Sequence, residues 1–309
     1  MIYSPDLGPY PVKEAEVLPG TAVSPYQPLV ARWPDAAPVG CVIFCHGLGS
    51  NGREYANLSR YWASHGYLAL HPTFADSIIE VAKAEPALGL DPDSDLTGWT
   101  SLPEVRARMH QKLHSPAFWL ARVDIVQTIL EMLDSVLAAT CGAADLPLAI
   151  AGHSFGAFTT QLLAGAEIDL PDGPRTFRDN RFRSAIILSG QGRDQQGLRD
   201  GSWDGMAGPV LTVTGTRDMG AKGGDWHWKC EPFDLAPPGG KYLAVLENGD
   251  HYLGGFADRQ PQVPAQIAAV NALTLAFLDA TLRQRGDAAD WLNGIGTRVG
   301  DAPLIFKTK

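Results

Sequence analysis

The sequence predicts an α/β protein: a mostly parallel sheet with helices on both faces. Three observations predict it. Six short apolar runs lack polar alternation, as strands buried on both faces require. Stretches of helical period lie between them. Turn residues bound the runs, with Gly40 and Gly47 around the first and Pro72 after the second.

The first 40 residues are rich in Pro and Gly, and short stretches such as Pro28–Val30 read as edge strands and turns. Cys41–Cys45 is an uninterrupted apolar run, the pattern of a fully buried strand. A helical stretch follows from about Arg53 to His65, then a strand at Tyr67–Leu70. Ser115 and Pro116 open a helix as N-cap and first-turn proline. Trp119, Val123, Val126, Leu130 and Leu133 keep one face of it apolar. Leu148–Ala151, Ala185–Leu188, Val210–Val213 and Tyr242–Leu246 are the remaining strands. A closing helix runs from about Pro264, with Ile267, Val270, Leu273, Phe277 and Leu278 at helical spacing. Residues 76–115 and 166–182 interrupt the alternation and read as insertions or long loops. The first is either a lid over a site or a solvated excursion. The 309 residues are expected to form a single domain with that insertion and a C-terminal tail at about 286–309.

Composition removes several classes of function. With 45% apolar and 19% charged residues the chain is not intrinsically disordered. No apolar run reaches the length of a membrane span. A net charge of −9 without a Lys/Arg cluster argues against nucleic-acid binding. The start lacks a basic stretch followed by an apolar core, so no signal peptide and a cytoplasmic location are expected. Four cysteines are too few for a disulfide scaffold. Cys41 and Cys45 sit too far apart to bridge in a strand that rises about 3.3 Å per residue. Cys141 and Cys230 pair only if the fold brings them together. No CxxC and no HExxH occurs, so no metal and no cofactor is expected.

Ligands of parallel sheets bind at the carboxyl ends of the strands. There the most informative segment is Gly152-His153-Ser154-Phe155-Gly156, a G-x-S-x-G pattern between a buried strand and a helical stretch, Ala157–Ala164. Glycines two before and two after let backbone approach a sharp turn that exposes the serine hydroxyl. The helix behind it adds a positive dipole where negative charge develops. Such a serine needs a base, and the order to look for is Ser, Asp or Glu, His. Downstream of Ser154 only His227 and His251 remain. His251 follows the Tyr242–Leu246 strand by a short loop and is the better placed, with His227 in a long loop as the alternative. Asp218 follows the Val210–Val213 strand; Asp225, Asp234 and Asp250 compete with it. His153 reads as support for the turn. The backbone amides of Phe155 and of Leu48, in His46-Gly47-Leu48-Gly49, are the candidate oxyanion donors. Phe74, Trp99, Trp226 and Trp228 are candidate pocket residues, with few fixed charges among the loops.

These residues resemble the α/β-hydrolase superfamily, in its dienelactone-hydrolase-like branch with chlorophyllases and plasma-type platelet-activating-factor acetylhydrolases. The matching pieces are Phe44–Gly49, Trp62–Tyr67, Gly152–Gly156, Thr214–Asp218 and Gly249–His251, within residues 41–256. The resemblance implies an α/β-hydrolase fold with about eight strands, a Ser154–Asp218–His251 triad, and hydrolysis of carboxylic esters. Dienelactone hydrolases proper carry a cysteine nucleophile, and serine stands here. The expected function is therefore a cofactor-free serine esterase acting on small apolar or aromatic short-chain esters, losing activity as its base protonates below about pH 6 to 7. Two alternatives stand beside it: a lipase or polyester hydrolase working at interfaces, and a non-catalytic ligand-binding protein on the same fold. Oligomeric state is not read from the sequence.

Overall fold

The Pro- and Gly-rich start folds into edge strands: β1 (Val12–Val17) and β2 (Leu29–Pro34) pair antiparallel, and β2 continues antiparallel onto β4. The computed structural model describes residues 3, 6–17, 29–220, 224–255 and 261–309. Pro28 and residue 256, named above, lie outside them.

The remaining elements follow in chain order. After β3 (Gly40–Cys45) come α1 (Ala56–Ser64) and β4 (Tyr67–His71). Then come α2 (Ile78–Ala84), α3 (Pro103–Leu113), α4 (Pro116–Glu131) and α5 (Leu133–Thr140). Next are β5 (Leu148–His153), α6 (Phe155–Ala164), β6 (Glu167–Leu170), β7 (Gly173–Thr176) and β8 (Phe182–Leu188). β9 (Val210–Gly215), α7 (Glu231–Asp234), β10 (Lys241–Leu246) and α8 (Pro264–Thr281) follow. α9 (Gly286–Asn293), β11 (Arg298–Val299) and β12 (Ala302–Thr308) close the chain.

The six apolar runs become the parallel centre of one sheet, in the order β4-β3-β5-β8-β9-β10. Each is buried on both faces, which is why alternation is missing from the sequence. Along β3, Cys41, Ile43 and Cys45 face α4, α5 and α6 through Val123, Val126, Leu137 and Phe158. Val42 and Phe44 face the opposite layer, with Leu58 and Trp62 of α1 and Val270 and Leu273 of α8. Burying one such side chain contributes about 1.5–3 kcal/mol. Trp62 is fully buried and satisfies its indole N–H on the Thr274 hydroxyl at 3.0 Å.

Three expectations are corrected. Among the described residues the sheet has ten strands, against the expected number of about eight. The two extra strands come from the segment read as a tail: β12 lies antiparallel on β10 and covers an edge that would otherwise present unpaired backbone. Residues 166–182 carry a small hairpin, β6 on β7. Residues 76–115 are largely helical, with Ile78, Val81, Trp99, Val105 and Met109 forming a small core of their own. All four cysteines are free. Burial pushes the Cys45 thiol up to about 12, so it is inert as a nucleophile. Among the described residues no helix is long and apolar enough to cross a membrane. Among them, no group of three or more His, Cys, Asp or Glu is placed to hold a metal ion.

Candidate active site

β5 ends at His153 and α6 begins at Phe155, so Ser154 alone makes the turn between them. Its backbone sits at φ 54°, ψ −117°, a region that costs an L-residue about 1–3 kcal/mol. The turn is over-determined by its neighbours. The Ser154 amide donates to the Leu188 carbonyl of β8 at 2.9 Å. A Cβ on Gly152 would stand 2.3 Å from the Gly156 carbonyl oxygen, and one on Gly156 only 1.8 Å from that of Cys45. Backbone presses on backbone at both places, which is the physical content of the two glycines.

Three strand ends bring Ser154, Asp218 and His251 together. His251 Nε2 lies 2.9 Å from Ser154 Oγ, and His251 Nδ1 lies 2.8 Å from Asp218 Oδ1. The ionised carboxylate accepts a hydrogen bond from Nδ1–H, which leaves Nε2 as acceptor for the serine hydroxyl. Asp218 is fully buried, and the Thr214 hydroxyl donates to its other oxygen at 2.9 Å. The His251 carbonyl is pinned by the Ser189 hydroxyl at 2.9 Å and by His153 Nε2 at 2.8 Å. His153 Nδ1 accepts from the Tyr55 hydroxyl at 3.0 Å. His153 therefore supports both the turn and the His251 backbone. Burial, with the nearby His251, pushes its pKa down to about 3.

The competing residues sit elsewhere. His227 is exposed and bonds Asp225 at 3.0 Å within its own loop. Asp250 accepts the Tyr252 amide at 2.9 Å, and Asp234 lies exposed in α7.

A buried cation, which no motif in the sequence signals, stands beside Asp218. Lys229 Nζ is 3.6 Å from Asp218 Oδ1 and donates to the Ser189 carbonyl at 3.1 Å. It also lies 5.2 Å from the centre of the Trp228 ring. Burial works to raise the Asp218 pKa, but the His251 hydrogen bond and the Lys229 charge outweigh it and hold the carboxyl well below the usual range. Burial in turn lowers the Lys229 pKa, and Asp218 opposes that shift.

Among the described residues, neither the Leu48 nor the Phe155 amide has a protein acceptor, although the residues around Leu48 are tied down. Leu48 and Ser154 both line a cleft of about 470 Å³. Trp99 and Trp228 form part of its walls. Two other aromatics do not. Phe74 is fully buried and turned inward, its ring centre 4.2 Å from the Arg122 guanidinium. Trp226 stacks on His227 at 3.8 Å and packs toward Phe233, outside the cleft. The walls also carry Glu54, His110, Gln191, Gln195 and Lys229, so the cleft is more polar than the aromatic-rich loops suggested.

A hydroxyl bonded to an imidazole that a buried carboxylate orients can deliver its oxygen to a carbonyl carbon. No protein-family model and no curated protein matches the chain, so the geometry of these residues is what a functional assignment stands on.

Proposed function

We propose that the protein is a serine esterase of the α/β-hydrolase type, acting on compact carboxylic esters without a cofactor. The observation that carries this reading is the continuous Ser154–His251–Asp218 hydrogen-bond chain at 2.9 and 2.8 Å, with the serine on a strained turn facing a cleft.

In this mechanism His251 Nε2 takes the Ser154 proton as Oγ attacks the ester carbonyl. The amides of Leu48 and Phe155 receive the oxyanion. His251 then gives its proton to the leaving alcohol, and water, activated by the same ring, hydrolyses the acyl-enzyme. Asp218 holds the tautomer and stabilises the imidazolium. Trp99 and Trp228 favour aromatic or apolar groups, while Gln191 and Gln195 offer hydrogen bonds to a polar substituent. The preference for short acyl chains is the expectation drawn from the sequence; the cleft, at about 470 Å³, holds a compact ester.

Initial rates on a p-nitrophenyl ester series from acetate to palmitate test the reading. Turnover should peak at short chains, and Ser154→Ala should lower kcat by about a thousandfold or more with an unchanged melting temperature. Equal activity in the folded variant would refute the assignment.

A further inference from the structure

The chemistry above uses Leu48 and Phe155 as donors but leaves unexplained what holds them in place. Arg122 in α4 and Asp76, in the turn ahead of α2, form a buried pair. Both are almost without solvent contact, and the contact is two-pronged, at 2.7 and 2.6 Å. The third guanidinium nitrogen donates to the His46 carbonyl at 2.9 Å. Its central carbon lies 4.2 Å from the ring centre of Phe74 and 4.1 Å from that of Phe155. The other half of the pair reaches the same loop from its far side, for the Asp76 carbonyl accepts the Gly49 amide at 3.1 Å. One ion pair thus grips the chain two residues before Leu48, at His46, and again one residue after it, at Gly49, and it touches the ring whose own amide is the second donor.

We propose that the Arg122–Asp76 pair positions the oxyanion hole, holding the Leu48 and Phe155 amides for the transition state. This inference rests on the esterase reading. A planar fork suits the task, since it sets direction as well as distance, and a lysine supplies only a point charge. The surrounding bonds leave the loop little slack. His46 Nε2 accepts the Phe74 amide at 3.0 Å, and the Gly47 amide donates to the Tyr55 hydroxyl at 3.1 Å. Gly49 has φ 76°, and a Cβ there would meet the Trp99 ring nitrogen at 2.6 Å. Both residues of the pair are positioning residues, for neither touches the substrate.

Removing one partner alone would strand a buried charge, so the test uses the double variant Arg122→Met/Asp76→Leu, which removes both. Two readouts are taken on variant and wild type at matched folded content. The first is steady-state ester hydrolysis with inhibition by phenylboronic acid, whose tetrahedral adduct on Ser154 uses the same amides. We expect kcat to fall by about 10- to 100-fold, KM to change by less than threefold on the order expected for an untouched cleft, and boronate affinity to weaken in step with kcat. Unchanged kcat and boronate affinity in the folded variant would overturn the proposal. The second is hydrogen exchange at the Gly49 amide, which does not depend on turnover. Faster exchange there, with β5 amides unchanged, is expected; unchanged Gly49 exchange overturns the clamp. An inactive wild type with this exchange response would count against the esterase reading and not against the clamp. If the double variant does not fold, Arg122→Lys keeps the charge and loses the fork, and it should show the same kcat loss; full activity there overturns the proposal.

Discussion

Replacing His153 with Gln should flatten the acid side of the stability curve. His153 is buried, with Nε2 on the His251 carbonyl and Nδ1 on the Tyr55 hydroxyl. Burial, with the nearby His251, pushes its pKa from an ordinary 6.5 down to about 3. The unfolded chain binds a proton at this ring below pH 6.5, whereas the folded protein does not until about pH 3. Its contribution is therefore fully present above pH 6.5 and lost as pH falls toward 3. At about 1.4 kcal/mol per pH unit, that interval is worth about 5 kcal/mol, a large share of a typical folding stability of about 5–15 kcal/mol. His71, buried and pushed down by burial and by Arg32, acts with the same sign in both proteins. His153→Gln keeps a donor for the His251 carbonyl and removes the titrating ring. Urea unfolding of both proteins at pH 7, 6 and 5 measures the effect. The stability gap between wild type and variant should narrow by about 1.4 kcal/mol for each pH unit below about 6. A gap that stays constant from pH 7 to 5 would refute the reasoning.

Two other substitutions probe the turn and the acid. Gly156→Ala puts a Cβ 1.8 Å from the Cys45 carbonyl oxygen, where only backbone could give way; circular dichroism should find no native fold, and a cooperative melt like that of wild type would contradict the packing argument. Asp218→Asn should lower kcat by about 10⁴-fold through the wrong imidazole tautomer, and it leaves Lys229 buried without its counter-charge. Adding Lys229→Met should recover stability and not kcat. Recovery of both would show that the carboxylate serves only to neutralise the lysine.

Much of the fold could be read from local pattern because the central strands are short and buried on both faces. Cys41–Cys45 carries that pattern without ambiguity, and β3 extends it by only Gly40. Ser154, Asp218 and His251 were recognisable because each sits just past such a run, and a parallel sheet gathers those ends on one side. β12 is hard to read although Leu304-Ile305-Phe306 within it is an apolar run; its strand pairing is antiparallel and comes after the last helix, outside the alternation. The sequence does not place Phe74 and Trp226 away from the cleft, because an aromatic in a loop carries no periodicity to say which way it points. Lys229, and the pairing of Arg122 with Asp76 across 46 residues, left no local signal at all. Isolated charges announce a buried partner only once the chain has folded around them.

The most direct measurement is the intact mass of wild type and Ser154→Ala after incubation with a fluorophosphonate probe. The hydrogen-bond chain from Asp218 through His251 to Ser154 predicts a single adduct on wild type and none on the folded variant. No adduct on folded wild type, or the same adduct on Ser154→Ala, would contradict an activated serine at this turn.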